Sequence, residues 1–236
     1  MEIPNRISST AVASEAADWR QSKWLILVEL AAVALIFIAD YHHLIPVSKT
    51  PFLLLLGWIS LRVRRLRWRD VGFARNRSWA ATLMLGIAGG LFLEIQELFV
   101  TQPLLARLTG KQPDLTDFRL LTGNVKYTVA GVALAWTLAA FGEELVWRGY
   151  LMNRIADLGD RTRLAWFCSL VVVHAGFGLA HSYQGLTGII EEGFAGVLLG
   201  VMYLGTGKNL SVPIIAHGIS DTLDLLLVFL GKMPGL

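Results

Sequence analysis

The chain has 236 residues, of which 54% are hydrophobic and only 17% charged, with a mean hydropathy of +0.54. That balance excludes an ordinary soluble domain and points to an all-α, polytopic membrane protein. Its single cysteine, Cys168, excludes a disulfide framework within the chain. Set in an apolar run, Cys168 is expected to be a small buried hydrophobe, so packing must hold the bundle together.

Residues 1–23 are polar, mixed in charge and rich in Ser and Ala, and read as a loosely ordered tail. Glu2, Glu15 and Asp18 in this stretch argue against a signal peptide. The first apolar span is expected over residues 24–39, interrupted once by Glu29. Residues 40–46, with His42, His43 and Pro46, then read as a loop. Residues 51–61 form a second, short apolar run. It is followed by the most basic stretch of the chain, with Arg62, Arg64, Arg65, Arg67, Arg69, Arg75 and Arg77. Between apolar spans such a loop is a cytoplasmic signal rather than a nucleic-acid site, and Trp58, Trp68 and Trp79 fit an interfacial belt.

Residues 78–93 are the next span, and Gly86, Gly89 and Gly90 in it permit close helix contact. After Glu94 and Glu97 a polar loop is expected, with Pro103, Gly110, Pro113 and Gly123. Residues 127–142 contain no Asp, Glu, Lys or Arg. A second basic loop carries Arg154, Arg161 and Arg163, and residues 164–190 are again free of those four residue types. The last apolar stretches are 193–207 and 212–231. The expectation is a single membrane-embedded domain over residues 24–236, with about seven transmembrane helices. The N-terminus is expected in the cytoplasm and the chain in the inner or plasma membrane.

Three polar features interrupt these runs. The first is Glu143-Glu144-Leu145-Val146-Trp147-Arg148. On a helix Glu144 and Arg148 stand at i,i+4 with the acid N-terminal, the favourable order. Glu143 is rotated by about 100° and has no such partner. Neighbouring carboxylates in unlike surroundings can take different chemical roles. The second feature places Phe177 and His181 at i,i+4, with His174 a heptad earlier. The third places His217 and Asp221 at i,i+4, where the carboxylate can orient the imidazole. A chain reversal near residues 159–163 would bring Glu143 and His181 to one height, since each lies 19 residues from position 162.

Peptide hydrolysis needs an activated water, a proton carrier and donors for the tetrahedral oxyanion, and one carboxylate with two histidines can supply them. The same Glu143, His181 and His217 are also a His2Glu set that could hold zinc with a position open for water, although HExxH is absent.

In order and spacing, Glu143-Glu144-x-x-x-Arg148, Phe177-x-x-x-His181 and His217-x-x-x-Asp221 resemble the motifs of the CPBP intramembrane proteases. That family is also called the CAAX-protease or Abi family. The Gly-rich stretch before Pro213-Ile214-Ile215 is similar to it as well, and the resemblance covers about residues 126–227. It implies that Glu143 activates water with help from His181, and that Glu144 and Arg148 are structural partners. It also implies that His217 and Asp221 serve the oxyanion, where many members carry Asn in place of Asp. A carboxylate cannot donate unless protonated, so the role of Asp221 divides between oxyanion contact and orienting His217. Eukaryotic members cleave prenylated CaaX proteins, which makes a membrane-associated or prenylated peptide the implied substrate and the lipid bilayer the other partner.

Two other classes share these features. One is a non-catalytic binding or bacteriocin-immunity protein of the same fold. The other is a proton-coupled transporter, since intramembrane acids and histidines also build proton relays. The complete polar set favours the enzyme over the scaffold. The absence of paired helix breaks in two matching halves argues against the transporter. Glu191 and Glu192 form a second acidic pair outside the three motifs, at an interface or facing a cavity.

Overall fold

The computed structural model describes residues 19–46 and 48–236. Residues 1–18 of the expected tail lie outside the described residues, and Trp19–Gln21 form one 3₁₀ turn that leads into the first helix. Seven helices follow: α1 (Lys23–Tyr41), α2 (Thr50–Val63), α3 (Trp79–Thr109), α4 (Val125–Leu158), α5 (Arg163–Leu179), α6 (Gly185–Gly205) and α7 (Ser211–Phe229). Among the described residues there is no strand. Four of the helices begin at a side-chain cap. Ser22, Ser78, Asn124 and Thr162 each accept from the backbone N–H three residues on, satisfying a donor that a helix start leaves free.

Helices α1, α3, α4, α7 and the segment containing α6 are long and apolar enough to cross a bilayer, while α2 and α5 are shorter apolar helices. The exposed side chains are those of a protein dissolved in lipid. Trp24, Leu35, Met84, Phe99 and Leu164 all point outward. The interior carries the polar groups instead, such as the buried ion pair at 3.2 Å between Arg64, just past the end of α2, and Glu29 on α1. Cys168 follows this inverted order. It is exposed on α5 rather than buried, because an apolar run in a membrane helix includes the lipid-facing side.

Two expectations about the helices change. The polar loop expected after Glu97 is helical as far as Thr109. Pro103 has no N–H to donate, and a π turn over Glu97–Thr101, in which the Gln102 N–H reaches the Glu97 carbonyl, carries the helix into it. The charge-free run 164–190 is two helices, not one. α5 ends at Leu179, and a short turn through Ser182–Gln184 leads into α6 at Gly185, whose φ is +80°.

The helices alternate in direction and give the bundle two distinct ends. One end gathers the start of α1 and the α2–α3, α4–α5 and α6–α7 connections. Lys23 pairs there with Asp160 at 3.0 Å, and the Leu210 N–H donates to the Gly72 carbonyl at 3.0 Å. The basic residues of the 62–77 and 159–163 segments all lie at this end. The other end joins the 110–124 segment, the 180–184 turn and the C-terminus, through Asp114 N–H to Gln184 O at 2.9 Å and Leu115 N–H to Gly235 O at 3.0 Å. The tightest helix pair is α3 against α7. A Cβ added at Gly86 would come within 2.6 Å of Ile215, and one at Gly90 within 2.6 Å of the Ala216 carbonyl, so the two backbones meet only because these residues are glycine.

Candidate active site

The site is built on the middle of α4, where the helix widens. From Ala135 to Leu151 its turns are mostly π-type, with Glu144 between two such segments. Wide turns of this kind recur at functional sites. Polar side chains hold this one: Thr137 Oγ1 donates to the Ala133 carbonyl at 2.7 Å, and the buried Asn153 amide donates to the carbonyls of Arg148 and Gly149 at 3.1 and 2.9 Å.

The two adjacent glutamates face different surroundings. Glu144 is fully buried. Its Oε1 accepts from Arg148 Nη1 at 2.7 Å and from His217 Nδ1 at 2.9 Å. Arg148 is also fully buried. Its Nη2 donates to the Gly196 carbonyl at 2.9 Å, and its guanidinium stacks over the Phe177 ring at 4.9 Å. A Cβ at Gly196 would stand 3.0 Å from both His174 and Phe177, so the glycine lets Arg148 reach the α6 backbone. Glu143 points the other way, into a cavity of about 660 Å³, and its nearest partner is the Thr50 hydroxyl on α2 at 3.5 Å.

Phe177 ties the three motifs together. Buried on α5, its ring lies 5.3 Å from Trp147, 4.8 Å from His181 and 6.4 Å from His217, centroid to centroid. His181 is not on the helix face expected for it but just past the end of α5. The i,i+4 relation survives as a bond from its Nδ1 to the Phe177 carbonyl at 2.9 Å. A carbonyl only accepts, so Nδ1 carries the proton and Nε2 of the neutral ring is the free acceptor. His174 is a buried core residue whose Nδ1 bonds the Leu170 carbonyl at 2.6 Å.

His217 makes more contacts than its spacing to Asp221 alone suggests. Asp221 Oδ1 stands 3.4 Å from Nε2, as the i,i+4 relation requires, while Nδ1 turns to Glu144. Glu143, His181, His217 and Asp221 all line the same cavity. Both nitrogens of His217 are directed at carboxylates, and among the described residues no three His, Cys, Asp or Glu side chains are grouped to hold a metal ion.

Sequence reasoning left out several cavity residues. Thr50 comes from α2, the Tyr183 ring lies tilted beside His181 at 5.9 Å, and Glu97 and Asp224 come from α3 and α7. Glu191 and Glu192, expected at an interface or facing a cavity, line this cavity too. The excess of acids in apolar helices is the one sequence signal that marks Glu97 and Asp224.

Fold and site together define a multi-pass, all-helical membrane protein with a carboxylate and two histidines around a cavity inside the bundle. Residues 125–223 match the family model described as type II CAAX prenyl endopeptidase Rce1-like. The matched segment contains all three motifs. No curated protein and no solved structure matches the chain.

Proposed function

We propose that the chain hydrolyses a peptide bond of a membrane-associated substrate within this cavity, using a water activated by Glu143 and no metal ion. The carrying observation is the division of labour in the pair: Glu144 is consumed by Arg148 and His217, while Glu143 faces the cavity with only a long bond from Thr50. Glu143 takes the proton of the attacking water. His181, with Nε2 as its free acceptor, carries a proton onward to the leaving amine. His217, flanked by acceptors on both nitrogens, presents Nε2–H to the developing oxyanion. Asp221 as a carboxylate would repel that oxyanion, so it acts by positioning His217.

A prenylated CaaX-type chain is the substrate class the family description supports. We place the basic end of the bundle, and with it the start of α1, on the cytoplasmic side of an inner or plasma membrane. The test is cleavage of quenched peptides, plain and prenylated, by the purified protein in detergent, with and without 1,10-phenanthroline. Cleavage that survives the chelator and is lost in Glu143→Gln is expected. No cleavage of any peptide would overturn the hydrolytic reading, and chelator-sensitive cleavage would overturn the metal-free one.

A further inference from the structure

The catalytic set accounts for only part of the polar wall of the cavity. Glu97, Glu191, Glu192 and Asp224 line it as well, from α3, α6 and α7, beside Asp221. Among the described residues no Lys or Arg lines it. The partners these acids do have are neutral amides, not cations: Gln102 Nε2 donates to Glu97 at 3.0 Å and Gln184 Nε2 to Glu192 at 3.4 Å. Glu191 has none for Oε1. It is 94% buried, being 6% exposed, lines the cavity, and leaves that oxygen without a hydrogen-bond donor; Asp224 Oδ1 is likewise without one. A buried carboxylate oxygen with no donor is a costly arrangement, and one that a ligand's donor would relieve.

We infer that this acidic wall is a subsite for a cationic group of the peptide substrate, with Glu191, Glu192 and Asp224 as its main contacts. The inference rests on the hydrolytic reading of the cavity and adds a substrate preference to it. A metal ion fits less well, because the acids are spread over the wall from three helices and are not grouped at ligand spacing. An ammonium or guanidinium on a flexible stem suits such a spread. It brings three or five donors to acceptors that lack them, while the stem lies along the apolar lining formed by Leu115, Phe118 and Leu121. The same chemistry comes from a Lys or Arg side chain or from a free N-terminal amine.

The experiment compares N-acetylated peptides identical except for one Lys, Arg or norleucine placed in turn on either side of the scissile bond. A fourth peptide carries norleucine and a free N-terminus. Binding to the full chain in detergent is read by fluorescence anisotropy, and cleavage is read separately. At one position the Lys and Arg peptides should bind at least about ten-fold more tightly than norleucine, the scale of one charge-assisted hydrogen bond. Glu191→Gln combined with Asp224→Asn should bring that ratio close to one. A gain only for the free N-terminus would assign the cation to the amine instead of the side chain. Equal affinity of all four peptides, or a preference that survives the double substitution, overturns the subsite whether or not any peptide is cut. Tight binding of the cationic peptides without cleavage leaves the subsite standing and sinks the hydrolytic reading.

Discussion

Replacing Glu144 with glutamine isolates the energetic core of the site. One oxygen of this fully buried side chain accepts from both Arg148 and His217, at 2.7 and 2.9 Å. Glutamine keeps an oxygen there but not the charge. The bond from Arg148 keeps its ionised donor but loses its ionised acceptor, and so weakens within the class worth about 1.5–3 kcal/mol, while the bond from His217 loses its ionised acceptor. Arg148 retains the Gly196 carbonyl and the Phe177 face, which orient a guanidinium but do not neutralise it. Breaking a buried pair by removing one partner costs about 3–5 kcal/mol, the upper end of the expected loss. Glu144→Gln should therefore show a clearly lowered Tm in detergent, and Arg148→Ala should resemble it. Glu143→Gln should melt like the parent and lose about 10²–10⁴-fold in turnover, the usual contribution of a positioned general base. Tm and turnover measured on all three variants decide the matter. A Glu144→Gln protein that is fully stable but inactive, beside a Glu143→Gln protein that still turns over, would swap the two roles.

Three more outcomes follow from the geometry. Gly90→Val must push a side chain into the Ala216 carbonyl and Ile219 at van der Waals-violating distance, so it should destabilise by about 1–3 kcal/mol or more and lower the yield of folded protein in detergent. Asp221→Asn, which keeps shape and can donate, should keep the Tm and change turnover by less than Asp221→Ala; equal losses would remove the positioning role given to the carboxylate. Cysteines placed singly at Arg69 and at Asp117 in a Cys168→Ser background should be labelled by a membrane-impermeant maleimide from opposite faces, and labelling from the same face would refute the two-ended topology.

Much of this was legible because membrane helices write their lengths in apolar runs. The reversal inferred from the midpoint of Glu143 and His181 falls at residue 162, and the turn lies between Leu158 and Arg163. The Glu144–Arg148 pair follows from i,i+4 spacing alone. What was not legible depends on which face of a helix looks inward. In lipid both faces are apolar, so periodicity does not tell them apart: Cys168 faces out, and Glu97 and Asp224 face the cavity. Pro103 is ordinarily a stop signal, and a π turn absorbed it. The His217–Glu144 bond spans 73 positions of the chain and joins two separate motifs, so no local spacing encodes it.

That bond changes what the glutamate pair does. Successive residues on a helix point about 100° apart, so one carboxylate can be sunk into packing while the next faces an opening. The sunken one, Glu144, is tied to both Arg148 and His217, so it fixes α4 and α7 to each other at the height where Glu143 enters the cavity. The cavity is also lined by Pro113, Gln184 and Met233, which belong to the end of the bundle away from the basic loops. A substrate entering there comes from the end of the bundle opposite the basic loops. It meets the acidic wall and Glu143 in one cavity, while the arginines of the 62–77 segment stay at the far end. The bundle thus keeps an acid-lined cavity towards one end and the arginine-rich 62–77 segment at the other. An anionic cavity at one end and a cationic collar at the other would favour a substrate segment that is apolar with a basic residue near the bond to be cut.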